Sequence, residues 1–459
     1  MVGERRLLIT VLIFITSTAI STSSSWTVKT LPGFDGPLPF DLETGYIRVD
    51  EERDAQIFYY FIKSERSPYE DPLMVWIAGG PGCSALTSLV FEIGPLHFEI
   101  KEYKGELPTL ILHPHSWTKV SNILFIDSPI GTGFSFARGS DVYIGGDVKS
   151  SKQVHKFIRK WLHDHPQFSS NPLYIGGDSY SGMVVPIITH VIAEDVEAGK
   201  QPLINLKGYV TGNPSADVAF DDNSFVPYSY GMGFISEELY ESAKKSCNGN
   251  YVRPQNSLCA SYVEAINKCT SGLNTAHILA PKCVRASPRL SLRRSLADNS
   301  SELLSPPPTP GLECHEYGFM LSYYWANNDA VREALHVQKG TVDEWIRCPN
   351  GLSYVKDVPS SLPYHAGLTN RGYRALVYSG DHDLVVPHVG TQEWIKSLNF
   401  SIVNEWRPWS VDGQVAGFTR SYVNNFTFAL VKGGGHTSPE FRPKECYNMF
   451  ERWIAYKPL

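Results

Sequence analysis

Ser179 stands in the run Gly176-Gly177-Asp178-Ser179-Tyr180-Ser181-Gly182, after the short apolar Leu173-Tyr174-Ile175 and before a helix-like stretch over 183–192. A serine at a strand-to-helix corner with small residues on both sides reads as a nucleophile elbow. The turn is so tight that only small neighbours let the backbone close, and it lifts the hydroxyl above the sheet. The usual pattern ends in glycine two residues after the serine; here Ser181 holds that place, with Gly182 behind it. An ordinary Ser/Gly turn would look the same, so partners elsewhere must decide.

A serine nucleophile needs a base to take its proton and an acid to orient that base. Two late β-rich runs supply candidates. Residues 374–379 lead into Gly380-Asp381-His382-Asp383, and 426–431 lead to Gly433-Gly434-Gly435-His436. Both catalytic types fall where strands stop, in the chain order Ser, Asp, His of α/β-hydrolases. A lone loop histidine or turn aspartate would say little; the ordered trio points to acyl transfer. Spacing does not separate Asp381 from Asp383, and His382 and His388 read as surface or packing histidines. The run 72–77 ends in Ala78-Gly79-Gly80-Pro81-Gly82-Cys83. A glycine-rich turn after an early strand is where such enzymes place one oxyanion donor, the other being the N–H after the nucleophile, on Tyr180.

The elements that must hold these residues are legible as runs. Residues 45–49 and 55–62 alternate as an antiparallel pair around the turn Asp50-Glu51-Glu52-Arg53. Further strand-like runs lie at 73–77, 123–126, 173–175 and 208–211. Residues 148–163 form an amphipathic helix with Val154, Phe157, Ile158, Trp161 and Leu162 on one face. Strands alternating with helices predict an α/β fold, a mostly parallel central sheet covered by helices on both faces. The pattern breaks from 228 to 322, where five of the eight cysteines fall. This region reads as an inserted cap between a first core part, 26–227, and a second, 323–459. Its segment 284–312 holds Arg289, Arg293-Arg294, a sequon and Pro306-Pro307-Pro308, and is expected to be a mobile loop exposed to proteolysis.

With 459 residues, 42% hydrophobic and 19% charged, the chain suits one large globular unit, and its net charge of -6 argues against nucleic acid or an anionic membrane as partner. Arg5-Arg6, an apolar stretch over 7–15 and mostly small residues to 25 read as a secretory signal peptide, 1–25, too short to span a membrane. No later stretch reaches spanning length, so the mature form is expected to be soluble. Cysteines in a secreted chain suggest disulfides, and Asn299, Asn399 and Asn425 open Asn-x-Ser/Thr sequons. No metal cluster, phosphate-cradling loop or dinucleotide fingerprint is visible, so no cofactor is expected.

Taken together, these motifs resemble the serine carboxypeptidase family, most closely its plant serine carboxypeptidase-like branch. The similarity runs from Leu31-Pro32-Gly33-Phe34 to the last helix, 443–454. It includes Asp127-Ser128-Pro129-Ile130-Gly131-Thr132-Gly133-Phe134-Ser135, Gly212-Asn213-Pro214 and Ser379-Gly380-Asp381-His382-Asp383-Leu384-Val385-Val386-Pro387. The resemblance implies an α/β-hydrolase fold with Ser179 as nucleophile, His436 as base and Asp383 as acid. It also implies oxyanion donors at Gly80 and Tyr180, and disulfides Cys83–Cys348, Cys247–Cys259 and Cys283–Cys314, with Cys269 and Cys446 unassigned. Family members are vacuolar or secreted glycoproteins.

Carboxypeptidases of this family hold the substrate's terminal carboxylate with an asparagine before the Gly-Gly turn and a glutamate before the nucleophile, which shares a proton with a second glutamate. Here those places, beside Gly79, are Ala78, Asp178 and Glu92. Asp178, and the closing Gly-Gly-Gly-His-Thr-Ser-Pro-Glu, resemble instead the acyltransferase branch, which takes acyl groups from 1-O-β-glucose esters. The first expectation is thus transfer from a small-molecule glucose ester, for example of a hydroxycinnamic acid, to an alcohol. The alternatives are an acid carboxypeptidase acting on a peptide C-terminus, and a binding or stabilising partner without catalysis.

Overall fold

The computed structural model describes residues 23–139, 143–284 and 309–459. Residues 1–22 of the expected leader, 1–25, and Asn299 with 285–308 of the expected loop, lie outside them; the leader's last three residues, Ser23, Ser24 and Ser25, pair in a strand with Ile47, Tyr46 and Gly45.

The strands of the main sheet are β1 (Ser23–Val28), β2 (Leu42–Asp50), β3 (Ala55–Ile62), β4 (Leu73–Ile77), β5 (Asn122–Ile126), β6 (Leu173–Asp178), β7 (Leu206–Gly212), β8 (Arg374–Gly380), β9 (Ile402–Val411), β10 (Gln414–Tyr422) and β11 (Phe426–Val431). They lie in the order β1-β2-β3-β5-β4-β6-β7-β8-β11-β10-β9. The six strands from β5 to β11 in that order run parallel, with antiparallel strands at both margins. The α/β expectation holds.

Side-chain alternation along each strand builds two cores, one per face. On β3, Phe58, Tyr60 and Ile62 join one core while Ile57, Tyr59 and Phe61 join the other. Every residue of β3 is buried, Gln56 included, so the strand read as alternating is covered on both faces. Helix α1 (Asp147–Asp164) covers one face with Val154, Phe157, Ile158, Trp161 and Leu162, and α2 (Ser181–Glu197) adds Val184, Val185, Ile188 and Ile192. The other face is covered by α3 (His315–Ala326) and α4 (Pro443–Ile454), through Met320, Leu321 and Trp325 and through Met449, Phe450 and Trp453. The expected cap boundary at Ser322 therefore falls inside a helix that packs into the main core.

The helices Glu237–Cys247 and Ser257–Thr270, in the segment expected to be a cap, form with Val226 a small separate core around Ala243, Cys259 and Ile266. Disulfides join Cys83 to Cys348, Cys247 to Cys259 and Cys283 to Cys314, while Cys269 and Cys446 are unbonded. Asn399 and Asn425 are exposed. No helix among the described residues is long and apolar enough to cross a membrane.

Candidate active site

The parallel strands all end on one rim, and loops leaving that rim carry the candidate residues. Ser179 occupies the one-step corner between β6 and α2 at φ 54, a left-handed conformation that non-glycine residues rarely adopt. Its amide donates to Gly212 O (2.8 Å) and its carbonyl accepts from Gly182 N (3.0 Å) and Ser215 N (2.9 Å). The corner needs small neighbours for a measurable reason. A Cβ at Gly177 would stand 2.5 Å from Ile77 O, and one at Gly79 would stand 2.5 Å from Ser179 Cβ and 3.0 Å from Oγ. Ser181, in the place where glycine is usual, turns its hydroxyl to Ala78 O (2.9 Å) and so ties the elbow to the preceding turn.

His436 Nε2 lies 2.7 Å from Ser179 Oγ, and its Nδ1 lies 2.9 Å from Asp383 Oδ2. Asp383 is fully buried; its Oδ1 accepts from Val385 N (2.7 Å) and Val386 N (3.1 Å), and its Oδ2 from Asn213 Nδ2 (2.8 Å). Asp381, level with Asp383 by spacing, points elsewhere: its Oδ1 accepts from Gly433 N (2.6 Å). Burial disfavours protonation of His436, but the Asp383 carboxylate against Nδ1 outweighs it, and the imidazole binds its proton more tightly than usual. His382 donates its backbone N–H to Gly434 O, and His388 opens the helix His388–Ser397.

Gly80 follows Gly79 at φ 119, and a Cβ there would meet Cys83 N at 2.9 Å. Gly79, where a Cβ would stand 2.5 Å from Ser179 Cβ, is the part of this turn that passes close to the nucleophile. The ring of Tyr180 is pinned through its hydroxyl, which donates to Asp147 Oδ1 (2.8 Å), and Asp147 also accepts from Tyr354 OH (2.9 Å).

Around the serine, Ala78, Glu92 and Asp178 are all buried. Burial raises the proton affinity of Asp178, and the nearby His436 and the Gly79 amide offset this only in part. Glu92 is raised further, first by burial and then by the charge of Asp178. Asp178 Oδ1 has no hydrogen-bond partner among the described residues. Residues 275–278 reach the same rim: Thr275 O accepts from Leu384 N (2.9 Å), Ala276 O from His436 N (2.7 Å), and Ile278 N donates to His382 O (3.1 Å). Sequence reading gave Asn213 no role; its only signal was its place in Gly212-Asn213-Pro214.

The arrangement offers a hydroxyl, a base that can accept its proton and a buried carboxylate to stabilise the resulting imidazolium. That is the equipment for acyl transfer through a covalent intermediate.

A family model described as serine carboxypeptidase matches residues 32–456. Serine carboxypeptidase-like 7 of Arabidopsis thaliana is 48% identical over 455 residues, covering 99% of this chain and 98% of its own. Serine carboxypeptidase-like 12 of the same plant is 49% identical over 452 residues, with 98% of each chain covered. Among solved structures, Kex1(delta)p, a prohormone-processing carboxypeptidase from Saccharomyces cerevisiae, matches with a TM-score of 0.74 over 94% of this chain and 96% of its own, at 20% identity. That last likeness is one of fold.

Proposed function

The chain belongs to the serine carboxypeptidase family, and within that family of serine-type enzymes we propose that it moves an acyl group from a 1-O-β-glucose ester to an alcohol. Ser179 Oγ attacks the ester carbonyl while His436 Nε2 takes its proton. The N–H groups of Gly80 and Tyr180 face the oxyanion that develops. As the tetrahedral species collapses, His436 returns the proton to the departing glucose oxygen, leaving an acyl-enzyme on Ser179. The acceptor hydroxyl then gives its proton to His436 and attacks the acyl carbonyl, and the returning proton frees Ser179. An acceptor held beside His436 outcompetes water through its effective concentration. The insertion, which lies against the Asp383 and His436 loops, is the proposed source of acceptor choice.

One observation carries the preference for transfer: Ala78 occupies the place where the family's carboxypeptidases hold an asparagine. Its side chain offers no hydrogen bond, and its carbonyl is already engaged by Ser181. Losing a hydrogen bond to a substrate carboxylate costs about 1.5–3 kcal/mol, roughly ten- to hundredfold in affinity. Incubation with a sinapoyl-type glucose ester plus malate or choline, and separately with an N-blocked dipeptide, tests the reading. Ester product without peptide cleavage supports it; amino-acid release alone overturns it.

The second reading, an acid carboxypeptidase, draws on Glu92 and Asp178. A buried acidic pair that holds a proton can donate to a carboxylate in acid. We also propose passage through the secretory pathway. The three disulfides suit an oxidising compartment, and exposed Asn399 and Asn425 are available for glycosylation.

A further inference from the structure

The turn after β7, Gly212-Asn213-Pro214-Ser215, bonds directly to Ser179 and Asp383 and to the residues on both sides of His436. Gly212 O accepts the Ser179 amide and the Ser215 amide donates to Ser179 O. Asn213, fully buried, reaches Asp383 and the loop that carries His436. One amide proton of Nδ2 goes to Asp383 Oδ2 (2.8 Å) and the other to Gly435 O (3.1 Å), the carbonyl just before His436. Its Oδ1 accepts from Ser438 Oγ (2.8 Å), just past His436. A carboxylate only accepts and a hydroxyl can donate, so these partners fix which end of the amide is which. Asn213 sits at φ 44 with its own N–H on Tyr378 O (2.7 Å), in the strand that leads to Asp383. Asparagine tolerates that left-handed backbone better than most residues, and no shorter side chain could span from the acid to the loop of the base.

We propose that Asn213 is the positioning residue that registers Asp383 against His436, with the 212–215 turn as the common frame for nucleophile, acid and base. Asp383 Oδ2 is shared between His436 Nδ1 and Asn213 Nδ2, so the amide sets where the carboxylate oxygen meets the imidazole. It also holds the His436 loop from its N-terminal side through Gly435 and from its C-terminal side through Ser438. The inference rests on the acyl-transfer reading of Ser179, His436 and Asp383, but not on the identity of donor or acceptor.

The test uses the full-length glycosylated protein, hydrolysis of a p-nitrophenyl ester across pH, and labelling of Ser179 by a fluorophosphonate. Asn213→Ala is expected to lower kcat by about ten- to hundredfold, the worth of one hydrogen bond to a charged group, with KM unchanged. It should also move the acidic limb of the pH profile to lower pH, because a loosened Asp383 stabilises the imidazolium less. Asn213→Asp puts a second carboxylate beside Asp383 and should move that limb the other way. The other charges acting on His436, Asp178 and Glu440, are the same in every variant. Ser438→Ala, which frees the amide to turn, should resemble Asn213→Ala with a smaller loss. Folded Asn213→Ala with wild-type kcat and an unmoved limb overturns the proposal. Should that variant fail to fold, unmoved limbs in both Asn213→Asp and Ser438→Ala overturn it instead. Ser179→Ala separates the two levels: turnover in that variant sinks the acyl-transfer reading itself, whereas an inert Ser179→Ala beside wild-type Asn213 variants sinks only the role of Asn213.

Discussion

Glu92 and Asp178 lie in each other's field beside the nucleophile, and both bind protons more tightly than free carboxyls. Burial is the larger cause for each; for Glu92 the charge of Asp178 comes next. A carboxyl whose proton affinity is raised by folding stabilises the fold at pH below its unfolded value. That contribution is lost as pH climbs through the raised folded value. The protein is therefore expected to melt higher at about pH 5 than at about pH 8. Glu92→Gln and Asp178→Asn should each narrow the gap. Thermal melts across that range check it, and equal slopes in wild type and both variants count against the pair.

Asp221 makes a separable contribution to the same slope. Burial pushes its carboxyl up to about 7, partly offset by the Ala216 and Asp217 amides it accepts. Its stabilisation is complete below the unfolded value and disappears as pH rises through about 7. Asp221→Asn keeps an oxygen for the two amides and removes the charge. It should flatten the stability profile between about pH 5 and about pH 8 by on the order of 3 kcal/mol. Denaturant melts at both pH values measure this directly; an unchanged difference refutes it.

Asp381 and Asp383 differ by two positions in sequence and completely in surroundings. Only Asp383 reaches His436; Asp381 accepts a backbone N–H from Gly433. Asp383→Asn should lower kcat by about 10⁴-fold, because the imidazole is left in the wrong tautomer. Asp381→Asn keeps an acceptor for Gly433 and should stay within roughly tenfold of wild type. Comparable losses in the two variants would contradict the assigned acid.

Much of the fold was legible because the parallel strands and their helices are buried on a scale that leaves continuous apolar runs. The strand at Phe426–Val431 and the helix at Pro443–Ile454 have the bounds their residues suggest. The hairpin β9–β10 was not, since β9 is an exposed edge carrying Glu405, Arg407 and Pro408, with few buried positions to set a period. The order Ser, Asp, His could be read from strand ends alone. Asn213 could not: its side chain meets partners 170 and 222 residues away, and no local pattern encodes such contacts.

The Cys83–Cys348 disulfide fastens the glycine turn, but it does not act alone. Ser84 N donates to Arg347 O (2.7 Å), Trp345 Nε1 donates to Ser84 Oγ (3.1 Å), and Asp127 Oδ1 accepts from Ser84 Oγ and Ala85 N, both at 2.8 Å. Replacing both cysteines by serine should cost about 3–5 kcal/mol of stability, since the bridge closes a very long loop. The remaining bonds should keep kcat within roughly tenfold of wild type at a temperature where the variant is folded. A kcat collapse without loss of stability would mean the bridge itself shapes the oxyanion turn.

Ala78→Asn bears most directly on the choice between transfer and peptide cleavage. The new amide would be carried one residue before the Gly79-Gly80 turn, in a site where Asp178 Oδ1 has no hydrogen-bond partner among the described residues. It would supply the donor that a terminal carboxylate requires, while Glu92 and Asp178 in acid supply the rest. KM for an N-blocked dipeptide should fall by about ten- to hundredfold. Since Asp178 and Glu92 must be protonated to help, the gain should be greatest in acid and fade as pH rises through their raised values. Transfer from a glucose ester should not improve, because that substrate carries no carboxylate for the amide to hold. A variant that cleaves the dipeptide no better than wild type at any pH would show that Ala78 is not what limits peptide binding. The preference for acyl transfer would then lose its main support, while the Ser-His-Asp chemistry would stand.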